Sequence, residues 1–204
     1  MGVVSMLIGK PALLINEMQK FVVDPAYAGF PALAKQVVER RIAEKISALA
    51  AAFRKAGAPI FHAPVRGRPD RIDIKGNSLI TALSLKGQPI PPGDPRLDYV
   101  DGCEAQEGDI EINRTSGIIA MYGTPIDAMM RRMGVETVVV AGVSTNVGVP
   151  GNVIMAEEMG YHVVVPEDCI AGTDPDTHRI ILEGQIKMLA RIVQSEDIIA
   201  ALAA

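Results

Sequence analysis

The sequence predicts an α/β protein, a three-layer, Rossmann-like arrangement of a mostly parallel sheet with helices on both faces. Two observations point there. Short β-branched runs alternate with longer segments of helical period along one chain, which implies parallel strands joined by right-handed helical crossovers. The run "TVVVAGV" (137–143) is apolar throughout, as a strand covered on both faces must be. At 204 residues the chain suits one domain over 1–204, able to bury about 70% of the surface its unfolded form exposes.

Each element follows from local pattern. "ALLIN" (12–16) reads as the first buried strand. Over 33–53, apolar Leu33, Val37, Ile42, Ile46, Leu49 and Phe53 recur at steps of three to five with charges between them, which predicts one amphipathic helix ended by Gly57. "APIFHAP" (58–64) and "DIEIN" (109–113) read as the second and third strands. "TPIDAMMRRMG" (124–134) predicts a helix with Thr124 as N-cap, Pro125 at its first position and Gly134 as its stop. A helix over 149–158 and a strand "YHVVVPED" (161–168) follow. "DPDTHRIILEGQIKML" (174–189) opens on an Asp-Pro cap as the last long helix, and "RIVQSEDI" (191–198) reads as a short final strand or edge. Residues 65–108 break this rhythm, being rich in Gly and Pro with weak periodicity. A connection of that length reads as an active-site loop or lid.

Composition excludes several classes of function. The net charge is −4, with acidic and basic residues mixed along the chain, so there is no electrostatic footprint for nucleic acid. No apolar run reaches the roughly 18 residues needed to cross a bilayer, and "MGVVSMLIGKPALLINEMQ" lacks the charged start and cleavage site of a signal peptide. Gly2 and Ser5 fall near the myristoylation pattern, but nothing else supports an anchor. The expected location is the cytoplasm, with no membrane partner. Cys103 and Cys169 are far apart and expected to be reduced and structural. Three histidines without an HxH, HExxH or CxxC pattern predict no metal site. GxGxxG and GxxxxGK[ST] are absent as well, so no cofactor is expected.

In a parallel sheet, ligands bind at the carboxyl ends of the strands. That rule gathers Asn16, Glu17, 62–68, Asn113, Arg114 and 142–148 around one crevice. Glu17, partly desolvated, would carry a raised pKa and exchange a proton. Arg114 can hold a carboxylate bidentately or pin Glu17. Arg66 and Arg68 add positive charge and favour a small anionic substrate, and His62 lies within an apolar strand. Ser144 in "GVSTN" has no glycine two residues later to form a nucleophile elbow.

"ALLINEMQ", "EGDIEINR", the stretch from "MYGTPID" to "PEDCIAG", and the final "TH" together resemble the isochorismatase-like hydrolase superfamily of nicotinamidases, N-carbamoylsarcosine amidases and isochorismatases. The resemblance implies a six-stranded parallel sheet, a homo-oligomer (dimer or tetramer) and a cis peptide at Val143–Ser144. The family's amide hydrolases use an Asp, a Lys and a Cys. The Asp falls on Glu17 in "NEMQ", the Lys on Arg114 or on the competing Thr115, and the Cys on Gly148 in "TNVGV". The glutamine expected after the second strand falls on Val65. The chain therefore reads as a divergent member lacking the thiol nucleophile, with space at Gly148 where a side chain stood.

The resemblance implies a hydrolase that acts by general acid/base catalysis on a small ether, enol or lactone. Glu17 and Arg114 would be catalytic, with Ser144, Thr145, Gly148, Arg66, Arg68 and His62 lining the substrate. Two alternatives stand beside it: a catalytically silent relative that binds a small molecule or a partner protein, and a thiol-independent amidase using Ser144 or activated water.

Overall fold

A computed structural model describes residues 6–204; the Gly2 and Ser5 pattern lies outside the described residues. The chain opens with β1 (Lys10–Asn16), continues through a single turn α1 (Lys20–Val23), and then forms α2 (Pro31–Glu39) and α3 (Ile42–Lys55). The one helix expected over 33–53 is two, because Arg41 takes left-handed backbone angles (φ 55°) between them. The apolar stripe nevertheless runs across the break. Leu33 and Val37 of α2 and Ile42, Ile46, Leu49 and Phe53 of α3 all bury into the same core.

β2 (Ile60–Ala63) leads into the long 65–108 segment, which is partly built. It holds α4 (Leu79–Lys86), capped by reciprocal bonds between Ser78 and Thr81, and a short 3₁₀ turn (Pro95–Leu97). β3 is only Ile110–Glu111, shorter than the expected 109–113. Its ladder still continues upward, with Ile112 N–H donating to the His62 carbonyl at 2.8 Å and Arg114 N–H to that of Pro64 at 3.0 Å.

Next come α5 (Ile126–Arg132) and β4 (Val135–Val143). Pro125 is the boundary residue of α5, and the Thr124 hydroxyl before it accepts from Ile126 N–H at 3.4 Å while donating to the Ala120 carbonyl at 2.7 Å. The rest of the chain runs α6 (Gly148–Glu158), β5 (His162–Pro166), β6 (Ile170–Ala171) and α7 (Pro175–Ile181). Asp174 caps α7 by accepting from Thr177 N–H at 2.8 Å. A wider turn over Leu182–Ile186 carries α7 into α8 (Lys187–Leu189), followed by β7 (Arg191–Val193). The expected 191–198 strand stops at Val193. The chain then turns helical as α9 (Ser195–Ala203), its first residue held by Asp168 at 2.8 Å.

Six strands form a continuous path, β3-β2-β1-β4-β5-β7, with β6 beside the upper end of β4. Every pairing is parallel. Alternate residues of β1 feed two cores. Leu13 and Ile15 pack with α2, α3 and Ile198 of α9, while Ala12 and Leu14 pack with Ile126 and Met130 of α5 and Val149 and Val153 of α6. Of the other methionines, Met121 is buried, Met129, Met155 and Met159 pack against the second core, and Met133 is exposed.

The chain winds one way from β1 to β3 and the other way from β4 onward, so a crevice opens above the ends of β1 and β4. Asn16 is level there with Ala63 on β2 and Gly142 on β4. Gly142 has φ +96°, and a Cβ on it would overlap the Asn16 carbonyl oxygen. Only glycine fits where the two strands come this close.

Asp109 fastens the edge strand β3. Its carboxylate accepts from Arg54 of α3 at 2.6 and 3.1 Å and lies 3.0 Å from His62 Nε2 of β2. Burial opposes its ionisation, but the bonds from Arg54, Gln106 N–H and His62 prevail and hold its pKa low. Asp109→Ala leaves the Arg54 guanidinium without its carboxylate and His62 without its hydrogen-bond partner, and is expected to cost about 3 kcal/mol. The urea midpoint measures it, and a midpoint equal to wild type would show that this cluster does not anchor the edge.

Candidate active site

Glu17 follows the last residue of β1 and adopts left-handed backbone angles (φ 54°). Arg114 stands above β3, where its backbone bridges to Val65 and its carbonyl accepts from Arg66 N–H at 2.8 Å. From there its guanidinium crosses to β1. Nη2 donates to Glu17 Oε1 at 2.5 Å and to the Ala63 carbonyl at 3.1 Å, and Nη1 donates to the Gly117 carbonyl at 3.1 Å. Thr115 is exposed, so Arg114 is the residue that meets Glu17.

The Arg114 side chain is 2% exposed and that of Glu17 is 21% exposed. The arginine is therefore enclosed, while the acid keeps a face to the crevice. Burial raises the Glu17 pKa, and the Arg114 charge and the bonds from Arg114 and Asn16 only partly offset it.

The turn after β4 closes the other side. The Val143–Ser144 peptide is cis. Ser144 is half-buried, and its carbonyl accepts from Val147 N–H at 3.2 Å and Val149 N–H at 2.9 Å. Thr145 is fully buried; its hydroxyl lies 2.9 Å from His178 Nδ1. His178 Nε2 lies 3.6 Å from Glu167, which is held in turn by Arg40 and Gln194, both at 2.9 Å. Burial, reinforced by the Arg40 charge, lowers the His178 pKa and keeps the ring neutral.

Gly148 begins α6, and the open space expected beside it is filled. A Cβ there would lie 2.9 Å from Asn16 Nδ2 and 3.1 Å from the Val143 carbonyl oxygen. The two cysteines supply no substitute thiol. Both are buried in the core beneath α3, and burial pushes Cys103 up to about 12 and Cys169 higher still, so both stay protonated.

The positive charge expected from the long segment is matched locally. Arg66 forms a two-pronged pair with Glu111 at 2.6 and 3.2 Å, under the Tyr99 ring, and Tyr99 also donates to Glu111 at 2.8 Å. Arg68 pairs with Asp70 at 2.6 and 2.9 Å. His62 is turned toward Asp109, and burial lowers its pKa.

A cavity of about 380 Å³ opens between Arg66, Gly67 and Asn113 on one side and Asp94, Leu97 and Asp98 on the other. Gln19 ties its walls together, donating to the Leu97 carbonyl at 2.8 Å and accepting from Val65 N–H at 2.6 Å. Asn113, the chain neighbour of Arg114, lines the cavity, whereas Glu17 and Arg114 themselves do not.

Three residues of this site escaped the sequence reading: Gln19, Asn16 as a side chain, and Asn152. Asn152 accepts from Ala120 N–H and donates to the Gly148 carbonyl, both at 2.8 Å. The first two flank Glu17 in "INEMQ", which was the signal available. Asn152, inside a helix, gave none.

A switch-point crevice thus holds an acid after the first strand and a cationic partner beyond the third. The chain belongs to the isochorismatase family, for the model of the isochorismatase domain matches residues 11–197. The isochorismatase family protein YecD of Escherichia coli O157:H7 is 31% identical over 94% of this chain and 95% of its own. Maleamate amidohydrolase of Pseudomonas putida is 25% identical over 83% of this chain and 76% of its own. Among solved structures, an isochorismatase family protein from Desulfovibrio vulgaris superposes with a TM-score of 0.82 at 25% identity, over 97% of this chain and all of the other.

Arg114→Met removes the charge that draws the Glu17 pKa down. The carboxyl titration, followed by carbon-detected NMR, is expected to move to higher pH. An unmoved titration would mean that the two side chains do not interact in solution.

Proposed function

We propose that this protein is a hydrolase that works without a covalent intermediate, with Glu17 exchanging the proton and water as the nucleophile. One observation carries the reading. The position where the thiol of the similar amide hydrolases falls is Gly148, crowded by Asn16 and Val143 and without a nucleophile, while Glu17 is held by Arg114 and keeps a face to the crevice.

The chemistry follows from a carboxyl with a raised pKa. Protonated Glu17 gives its proton to the enol carbon of a vinyl ether, and the resulting oxocarbenium ion faces a fresh carboxylate. Water adds to the cationic carbon and its proton returns to Glu17; the hemiacetal so formed then breaks its bond to the ether oxygen, its hydroxyl proton passing to that oxygen, to release an alcohol and a carbonyl compound. Arg114, enclosed and engaged on both terminal nitrogens, positions Glu17 and sets its proton affinity.

The cavity at Asn113, the chain neighbour of Arg114, suits a small substrate, and segment 92–98 forms one of its walls. Arg66 and Arg68 are each matched by a carboxylate, and Asp98 lines the cavity. The favoured substrate is thus a polar ether, enol or lactone with no more than one negative charge. That charge would be received by Asn113 and the remaining Arg66 N–H.

Thiol-independent amide hydrolysis is the second reading, and the Thr145–His178–Glu167 row favours it. Thr145 is wholly enclosed, however, and a nucleophile has to reach its substrate.

The test is a panel of vinyl ethers, enol esters, lactones and maleamate, assayed with wild type and two variants. Glu17→Gln is expected to lower kcat by about 10²–10⁴-fold, and Thr145→Val to leave most turnover in place. Because the acid form of Glu17 is the active one and burial raises its pKa, turnover should persist to higher pH than an ordinary glutamate allows. It should then fall as pH rises through that pKa. Turnover indifferent to Glu17→Gln removes the proposed acid. Saturable binding without turnover on any substrate supports a silent relative.

A further inference from the structure

We infer that Asn16 is the positioning residue of this site and is matched to the glycine at 148. Its carboxamide fills the volume a side chain there would need and joins the turn after β4 to the Glu17–Arg114 pair. The inference rests on the reading of Glu17 as the working acid.

Asn16 shares a face of β1 with Ala12 and Leu14, both packed in an apolar core, and is itself fully buried. An amide in that place is unfavourable unless it is hydrogen-bonded, and the bonds it makes connect separate parts of the site. Nδ2 donates to the Val143 carbonyl at 2.6 Å, at the residue where β4 gives way to the turn. Oδ1 lies 3.5 Å from both Arg114 Nη2 and Asn152 Nδ2. The Asn16 amide also favours the charged form of the Glu17 carboxyl. One amide therefore meets the arginine that holds the acid, the end of β4 and α6.

Gly148 completes the match. Any Cβ at that position would press on Asn16 Nδ2 at 2.9 Å and on the Val143 carbonyl oxygen at 3.1 Å, the two atoms that bond each other. A side chain at 148 and the Asn16–Val143 bond therefore compete for the same space. A thiol placed at 148 would press first on the amide that orients Glu17.

A double-mutant cycle tests this without a substrate. Gly148→Ala is expected to lower Tm by roughly 5 °C in the wild-type background. It should lower Tm by less than half as much in the Asn16→Ala background, where the amide is gone. Asn16→Ser serves the same purpose if Asn16→Ala does not fold. Glu17 is then titrated by carbon-detected NMR in each soluble variant. Loss of Asn16 should shift the carboxyl to higher pH, a change that a purely structural role would not cause. Equal Tm losses in the two backgrounds, or a Glu17 titration indifferent to Asn16, would overturn the assignment. If the coupling is found but turnover ignores Glu17→Gln, the catalytic reading alone fails.

Discussion

A guanidinium enclosed at the mouth of a sheet must be answered by acceptors from whatever surrounds it, and Arg114 imposes that requirement here. Its terminal nitrogens are met by the carbonyl after β2, the carbonyl of Gly117 and the carboxylate after β1. None of these groups is near another in sequence; the parallel register brings them level. Removing the carboxylate leaves the enclosed charge without its counter-ion, which costs more than the bond itself contributes. The chain ends of three strands are thereby held together by one side chain. The acid that shares it has a proton affinity set by two opposed effects, burial and the neighbouring charge.

The turn after β4 is braced from both sides. On one side Asn16 and Asn152 hold its carbonyls at Val143 and Gly148. On the other, Thr145 is fixed by the Ala171 carbonyl and by His178, behind which Glu167 and Arg40 are aligned. A row of hydroxyl, imidazole and carboxylate resembles a nucleophile with its base, yet here it faces inward and its hydroxyl has no access to the crevice. Geometry alone does not make a catalytic row, because access decides whether the hydroxyl can act.

Much of the architecture was legible from residue pattern. The apolar runs of β4 and β1 and the Asp174 cap each have a local cause that a sequence displays. The break at Arg41 was hidden because the apolar stripe continues through it, and α4 because its helix signal is a Ser78–Thr81 cap within a Gly- and Pro-rich stretch. At the site, Glu17, Arg114 and Gly148 stood out by their place at strand and helix ends. The partners of Arg66 and Arg54 did not, since Glu111 and Asp109 lie 45 and 55 positions away and meet them only after folding. Asn16 and Asn152 act through backbone groups, and such bonds leave no periodic mark.

The contact between Gly148 and the Asn16 amide also bears on how such a chain can change over generations. A family member with a side chain at this place and one with a buried amide at the end of β1 occupy separate states of the same scaffold. Each single step between them passes through a molecule that is either crowded or missing a buried bond. The two positions are therefore coupled, and a substitution at either one is felt first at the other.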